Sequence, residues 1–218
     1  MTEAEWAAIT DPIELVAWLQ TTMSDRKLRL WGIACCRYFY WQLLNDERLH
    51  HAIEMRERYE DNLASDEELR KALHAADDAC QEARGALATS TGTRLLDHHR
   101  YGEALQIAAA AESARNASAD WPDYCQPLWE GDQIRVCHLL REVVGPFRFV
   151  QPDSSWQTAT TIAIAQSIYD AQDYTAMPVL ADALEEAGCD HADILSHLRG
   201  PGPHVRGCWV VDLLLGKE

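Results

Sequence analysis

The chain has 218 residues, 47% of them hydrophobic and 25% charged, an ordinary globular balance with ample material for a packed core. Its 19 basic against 35 acidic residues give a formal net charge of −16, which argues against binding nucleic-acid phosphates or an anionic membrane and suits a basic partner or plain solubility. Seven cysteines in no regular framework, a start without a basic, apolar leader and no run long enough for a membrane helix predict a reducing cytoplasmic setting with free thiols.

Thr2-x-x-Glu5 reads as a capping box that starts the first helix. Asp11-Pro12 opens the second, where Ile13, Val16, Ala17 and Leu19 form one apolar face. Ser24 caps a long helix to about Leu44, with Leu28, Trp31, Cys35 and Phe39 at helical spacing and Arg26, Lys27, Arg29 and Arg37 supplying charge. Adjacent Cys35 and Cys36 point in different directions on a helix, so Cys35 is assigned to the core. Asn45-Asp46 starts another helix to about Ala64.

Ser65-x-x-Glu68 is a second capping box, and an alanine-rich helix follows to about Ala88. Thr89-Ser90-Thr91-Gly92 breaks the pattern before a further alanine-rich helix from Thr93 to Asn116. Residues 66–116 therefore read as a long antiparallel helical hairpin, and 116–122 as the internal boundary of an otherwise single helical domain spanning 1–218.

Gln133 to Val144 is a short amphipathic helix stopped by Gly145-Pro146. Phe147 to Val150 is the one stretch that could be extended. Ser154 or Ser155 is expected to cap a helix to about Asp170, Thr175 one to Gly188 with Pro178 in its first turn, and Asp190 a short one ending at Gly200. Cys208 to Leu215 is the last. The fold class is all-α.

Between Arg148 and Arg199 there is no lysine or arginine, yet there are eight carboxylates, half the net charge. A solvated face explains them, or a docking surface for a basic protein partner, in which Asp182, Glu185, Glu186, Asp190 and Asp193 would take part.

Several stretches resemble one family: Thr2-Glu3-Ala4-Glu5-Trp6, Ser24-Asp25-Arg26-Lys27-Leu28-Arg29-Leu30 with Ala34-Cys35-Cys36-Arg37, and the closing Gly200-Pro201-Gly202-Pro203-His204-Val205-Arg206-Gly207-Cys208-Trp209-Val210-Val211-Asp212. It is a large paralogous family of uncharacterised planctomycete proteins. The resemblance implies an intracellular bacterial protein and no particular activity. Val179 to Gly188 is also similar to a short Ala-Asp-Trp-Leu-Glu-Glu segment of repeat-companion domains, with Ala183 where that segment has tryptophan.

The closing segment concentrates the chemistry. Cys189, His191, His197, His204 and Cys208 are all metal-ligating types. Cys189 and His197 would lie about 12 Å apart along a helix axis, so His197, His204 and Cys208 form the better set for zinc, one donor short of four. The same loop offers an anion site, with Arg199 and Arg206 beside a helix N-terminus, and a nucleophile reading, with Cys208 as thiolate and His204 as base. A packed turn joining two helices is the plain alternative. Glu47-x-x-His50 with Glu54 has no second Glu-x-x-His to complete a di-iron site, so His50-His51 with Arg48, Arg56 and Arg58, and Asp97-His98-His99, read as solvated faces. Neither a nucleotide-binding nor a hydrolase motif is present, and no motif calls for a cofactor. The sequence thus favours a non-enzymatic adaptor or regulatory module with an acidic docking surface. A metal- or anion-binding protein, an enzyme among the options, is the alternative.

Overall fold

The computed structural model describes residues 2–19, 23–41, 46–89, 132–148 and 150–217. The fold is all-α: among these residues there are ten α-helices and no strand. The chain divides into two compact units, one formed by Met1–Lys27 with Asp132–Glu218 and the other by Leu28–Gly131.

The first unit begins with α1 (Glu3–Ala8), whose capping box is formed as expected: the Thr2 hydroxyl accepts from Glu5 N–H at 3.2 Å and the Glu5 carboxylate accepts from Thr2 N–H at 2.6 Å. Helix α2 (Pro12–Leu19) buries Leu15, Val16 and Leu19. The first turn of α3 (Asp25–Tyr40) also belongs here, through Lys27. After residue 132 come α6 (Gln133–Val144), α7 (Ala159–Ala171), α8 (Met177–Glu186), α9 (Ala192–Arg199) and α10 (Trp209–Leu215). Helices α7 to α10 share one core, in which Ile168, Met177, Leu180, Leu184, Ile194, Leu198, Val210 and Leu214 are buried. Each such side chain contributes about 1.5–3 kcal/mol on removal from water.

Three helix starts differ from the expectation. Asp153 caps only a single 3-10 turn, Ser154–Trp156, and α7 starts after Thr158, whose hydroxyl accepts from Thr161 N–H. Thr175 lies inside another 3-10 turn capped by Asp173, and α8 follows from Met177. His191 rather than Asp190 occupies the cap position of α9. In the first two cases a nearby hydroxyl or carboxylate offered a competing local bond.

The α3 turn is tied down by charge. Asp212 of α10, 1% exposed, accepts from Arg26 at 2.7 Å and Lys27 at 2.6 Å. Arg26 also donates to the Tyr169 hydroxyl and Lys27 to the Gly207 carbonyl. A buried carboxylate costs several kcal/mol in desolvation unless paired, and two cations meet that requirement.

In the second unit α3 continues from Leu28, followed by α4 (Glu47–Glu60) and α5 (Asp66–Thr89). The turn between α4 and α5 includes Asn62 at φ 58 and ends in the Ser65/Glu68 capping box. The two helices pack through Leu49, Ala52, Met55, Leu69, Ala72 and Ala76. The expected return arm at 93–116, the boundary at 116–122 and Asp97-His98-His99 lie outside the described residues. Cys35 and Cys36 are both buried.

His51 and Arg58 are exposed, whereas Arg56 departs from the solvated reading. Arg56 is 5% exposed and pairs with Glu60 at 3.0 Å, where Arg29 joins at 2.8 Å. His50 stacks on Trp41 with its Nε2 3.1 Å from the Trp41 carbonyl. Buried carboxylates Glu57 and Glu60 drew these charges inward, Glu57 taking a two-pronged bond from Arg37.

Candidate metal centre

One side of α6 carries Val136, Leu139, Leu140 and Val143 into the core, and Glu142 is buried with them at 5% exposed. The helix stops at Gly145, where φ is +88 and an added Cβ would stand 3.1 Å from the Trp209 ring. On α9, Ile194 and Leu198 face the core, which leaves His197 on the flank in the last turn. Gly202 then bends the loop at φ +83, and a Cβ there would lie 2.7 Å from the His204 backbone nitrogen. Cys208 occupies the cap position of α10, fully buried, its N–H bonded to the Val205 carbonyl.

These elements bring four side chains together. The donor atoms of Glu142, His197, His204 and Cys208 all lie within 4.8 Å of one another. His197 Nε2 is 3.2 Å from Cys208 Sγ and 3.3 Å from Glu142 Oε2, and His204 Nδ1 is 3.2 Å from Glu142 Oε1. A tetrahedron with metal–donor bonds of about 2.0–2.3 Å has edges of about 3.3–3.8 Å, against 3.2 Å for His197–Cys208, 3.3 Å for His197–Glu142 and a bound of 4.8 Å for the whole set. Among the described residues this is the one such group.

His204 Nε2 is 3.2 Å from the Gly200 carbonyl, which can only accept, so Nε2 carries a hydrogen. The facing Nδ1 is then either a second N–H or a bare lone pair pointing at a carboxylate. A cation is needed there, whether a proton on the ring or a metal ion. Burial opposes charge on His204, but the Glu142 carboxylate overrides it and raises the histidine pKa. Burial would likewise raise Glu142, yet bonds from His197 and His204 outweigh it and hold the carboxyl low. Burial and then the negative Glu142 push the Cys208 thiol well up.

That arrangement does not suit a nucleophile. A catalytic Cys–His–acid relay uses one ring nitrogen for sulfur and the other for the acid. Here a single His197 nitrogen faces both, and the sulfur is buried with a raised pKa. His204, the base expected from sequence, pairs with Glu142 and Gly200 instead of Cys208.

The other expected site residues are dispersed. Arg199 donates to Asp182 at 2.8 Å and to Glu185 at 3.1 Å, while Arg206 lies over the Tyr169 ring at 4.4 Å, so each guanidinium is engaged apart from the centre. Asp182, Glu185, Glu186, Asp190 and Asp193 are all exposed. Glu142 was missed in the sequence. Its one signal is a carboxylate set into an otherwise apolar helix face.

Fold and site together define an all-α protein with a buried cluster of one carboxylate, two imidazoles and one thiol. No family model, no curated protein and no solved structure matches the chain. Among the described residues no helix is long and apolar enough to cross a membrane.

Proposed function

We propose that this chain is a metal-binding protein that holds one transition-metal ion, zinc by its mixed N, S and O donors, through Glu142, His197, His204 and Cys208. The convergence of four donor atoms within 4.8 Å carries the reading. A divalent ion supplies the positive charge that the carboxylate, the bare nitrogens and the thiolate need in a site where desolvation is otherwise costly. Bound there, it links α6, α9 and the loop before α10. His204 Nε2–H on the Gly200 carbonyl is the outer hydrogen bond that orients a ligating imidazole.

This reading is preferred to acidic docking because Arg199 already binds two of the five docking carboxylates. The test is metal content of the purified and zinc-reconstituted protein, with Cys208→Ser and His204→Ala alongside. Near-stoichiometric zinc, lost in both variants, is expected. Absence of zinc after reconstitution, or full zinc content in both variants, refutes the proposal.

A further inference from the structure

Glu142, His197 and His204 line an open pocket of about 390 Å³, while Cys208 stands behind them and does not. Side-chain exposure falls from 17% for His197 through 9% for His204 to 4% for Glu142, and Cys208 as a whole residue is 1% exposed. An ion at the convergence point therefore has its sulfur side sealed and its imidazole side toward the pocket. Trp6 and Trp209 supply apolar wall there. His138, exposed and one helical turn before Glu142 on the same face of α6, stands in the same wall. Arg141 lines it too: its Nη2 donates to the Trp6 and Ile9 carbonyls at 2.6 and 2.7 Å, while its Nε–H is shielded from solvent with no acceptor among the described residues.

We infer that this pocket is a ligand site of the metal centre, admitting a small carboxylate whose oxygen enters the coordination sphere and whose apolar body lies along the tryptophans. The inference rests on the metal reading above. Zinc is four-coordinate at rest and reaches five at some catalytic sites, and a centre made neutral by one carboxylate and one thiolate gains a fifth, anionic donor more readily beside the Arg141 guanidinium. Ser196 lines the same pocket, exposed on α9 and outside the donor set, so a bulky residue there obstructs entry without removing a donor.

Cobalt(II) makes the two readings separable. The reconstituted protein is expected to show a thiolate-to-cobalt band and intense tetrahedral d–d bands. Titration with phenylacetate should lower the d–d intensity saturably as a fifth donor enters, with acetate acting more weakly. Ser196→Trp should keep the thiolate band and lose the phenylacetate response. Cobalt bands that neither carboxylate moves overturn the ligand site and leave the metal centre standing. A response that survives intact in Ser196→Trp overturns the pocket assignment. Failure to bind cobalt at all overturns the metal reading itself.

Discussion

Replacing Gly202 by alanine should damage the centre without touching a donor. At φ +83 the alanine backbone is strained by roughly 1–2 kcal/mol. Its Cβ would also stand 2.7 Å from the His204 nitrogen, so the backbone carrying that imidazole has to shift. Disturbing the support of a ligating histidine costs about 10–100-fold in metal affinity, equivalent to about 1.4–2.7 kcal/mol. Gly188→Ala is the internal control: its φ of +89 imposes the same kind of strain, but an added Cβ meets nothing within 4 Å. Urea unfolding of the metal-free proteins should show a loss in both variants, the larger in Gly202→Ala, whose Cβ also meets the His204 backbone. Zinc competition against a chelating dye should show a weakened constant in Gly202→Ala alone. Equal zinc affinity in Gly202→Ala and the unaltered protein would refute the argument that this glycine places His204.

Asp212→Asn leaves Arg26 and Lys27 without their shared carboxylate and should cost about 3–5 kcal/mol in urea unfolding; a loss under about 0.5 kcal/mol would show that the triad is solvated. Stability of the chelated protein should fall as pH rises from about 6 to 8. Burial opposes charge on His204, but Glu142 raises its pKa above 6.5, so its contribution is complete below 6.5 and is lost through the raised value. Glu142, which burial would raise but the two histidines hold below 4.5, contributes above 4.5 and loses that only as pH falls further. Zinc affinity should run oppositely, rising with pH because the ion displaces protons from its ligands; a chelated protein that melts higher at pH 8 than at pH 6 contradicts this assignment. Arg199→Ala should leave zinc content unchanged, because its guanidinium is bound to Asp182 and Glu185; loss of zinc would place it in the centre.

Features closed by bonds within four residues were legible in the sequence. Both capping boxes and the Gly145 stop formed as read, because each is decided by a handful of neighbouring atoms. Cap choice was harder where candidates crowd together, as with Ser154, Ser155 and Thr158, of which Thr158 caps α7 while Asp153 caps the 3-10 turn before it. His197, His204 and Cys208 were legible as a set because one short stretch of chain, 197–208, carries all three. Glu142 was not, because it meets His204 across 62 positions of chain, a pairing that local spacing does not encode. Arg56 was misplaced for a related reason. Its charge suggested water, and only the buried Glu60 explains its position.

The first compact unit is stitched from both flanks of the chain, with Leu28–Gly131 inserted between them. Arg26 leaves the ribosome 186 positions before the carboxylate that will neutralise it. At about 5–20 residues per second the delay is roughly 10–40 s. Through that interval the leading helices have no finished core to join, whereas α4 and α5 already have each other. Synthesis therefore imposes an order on assembly: the inserted unit can condense first, and the unit bearing the metal cluster closes only when the trailing helices emerge.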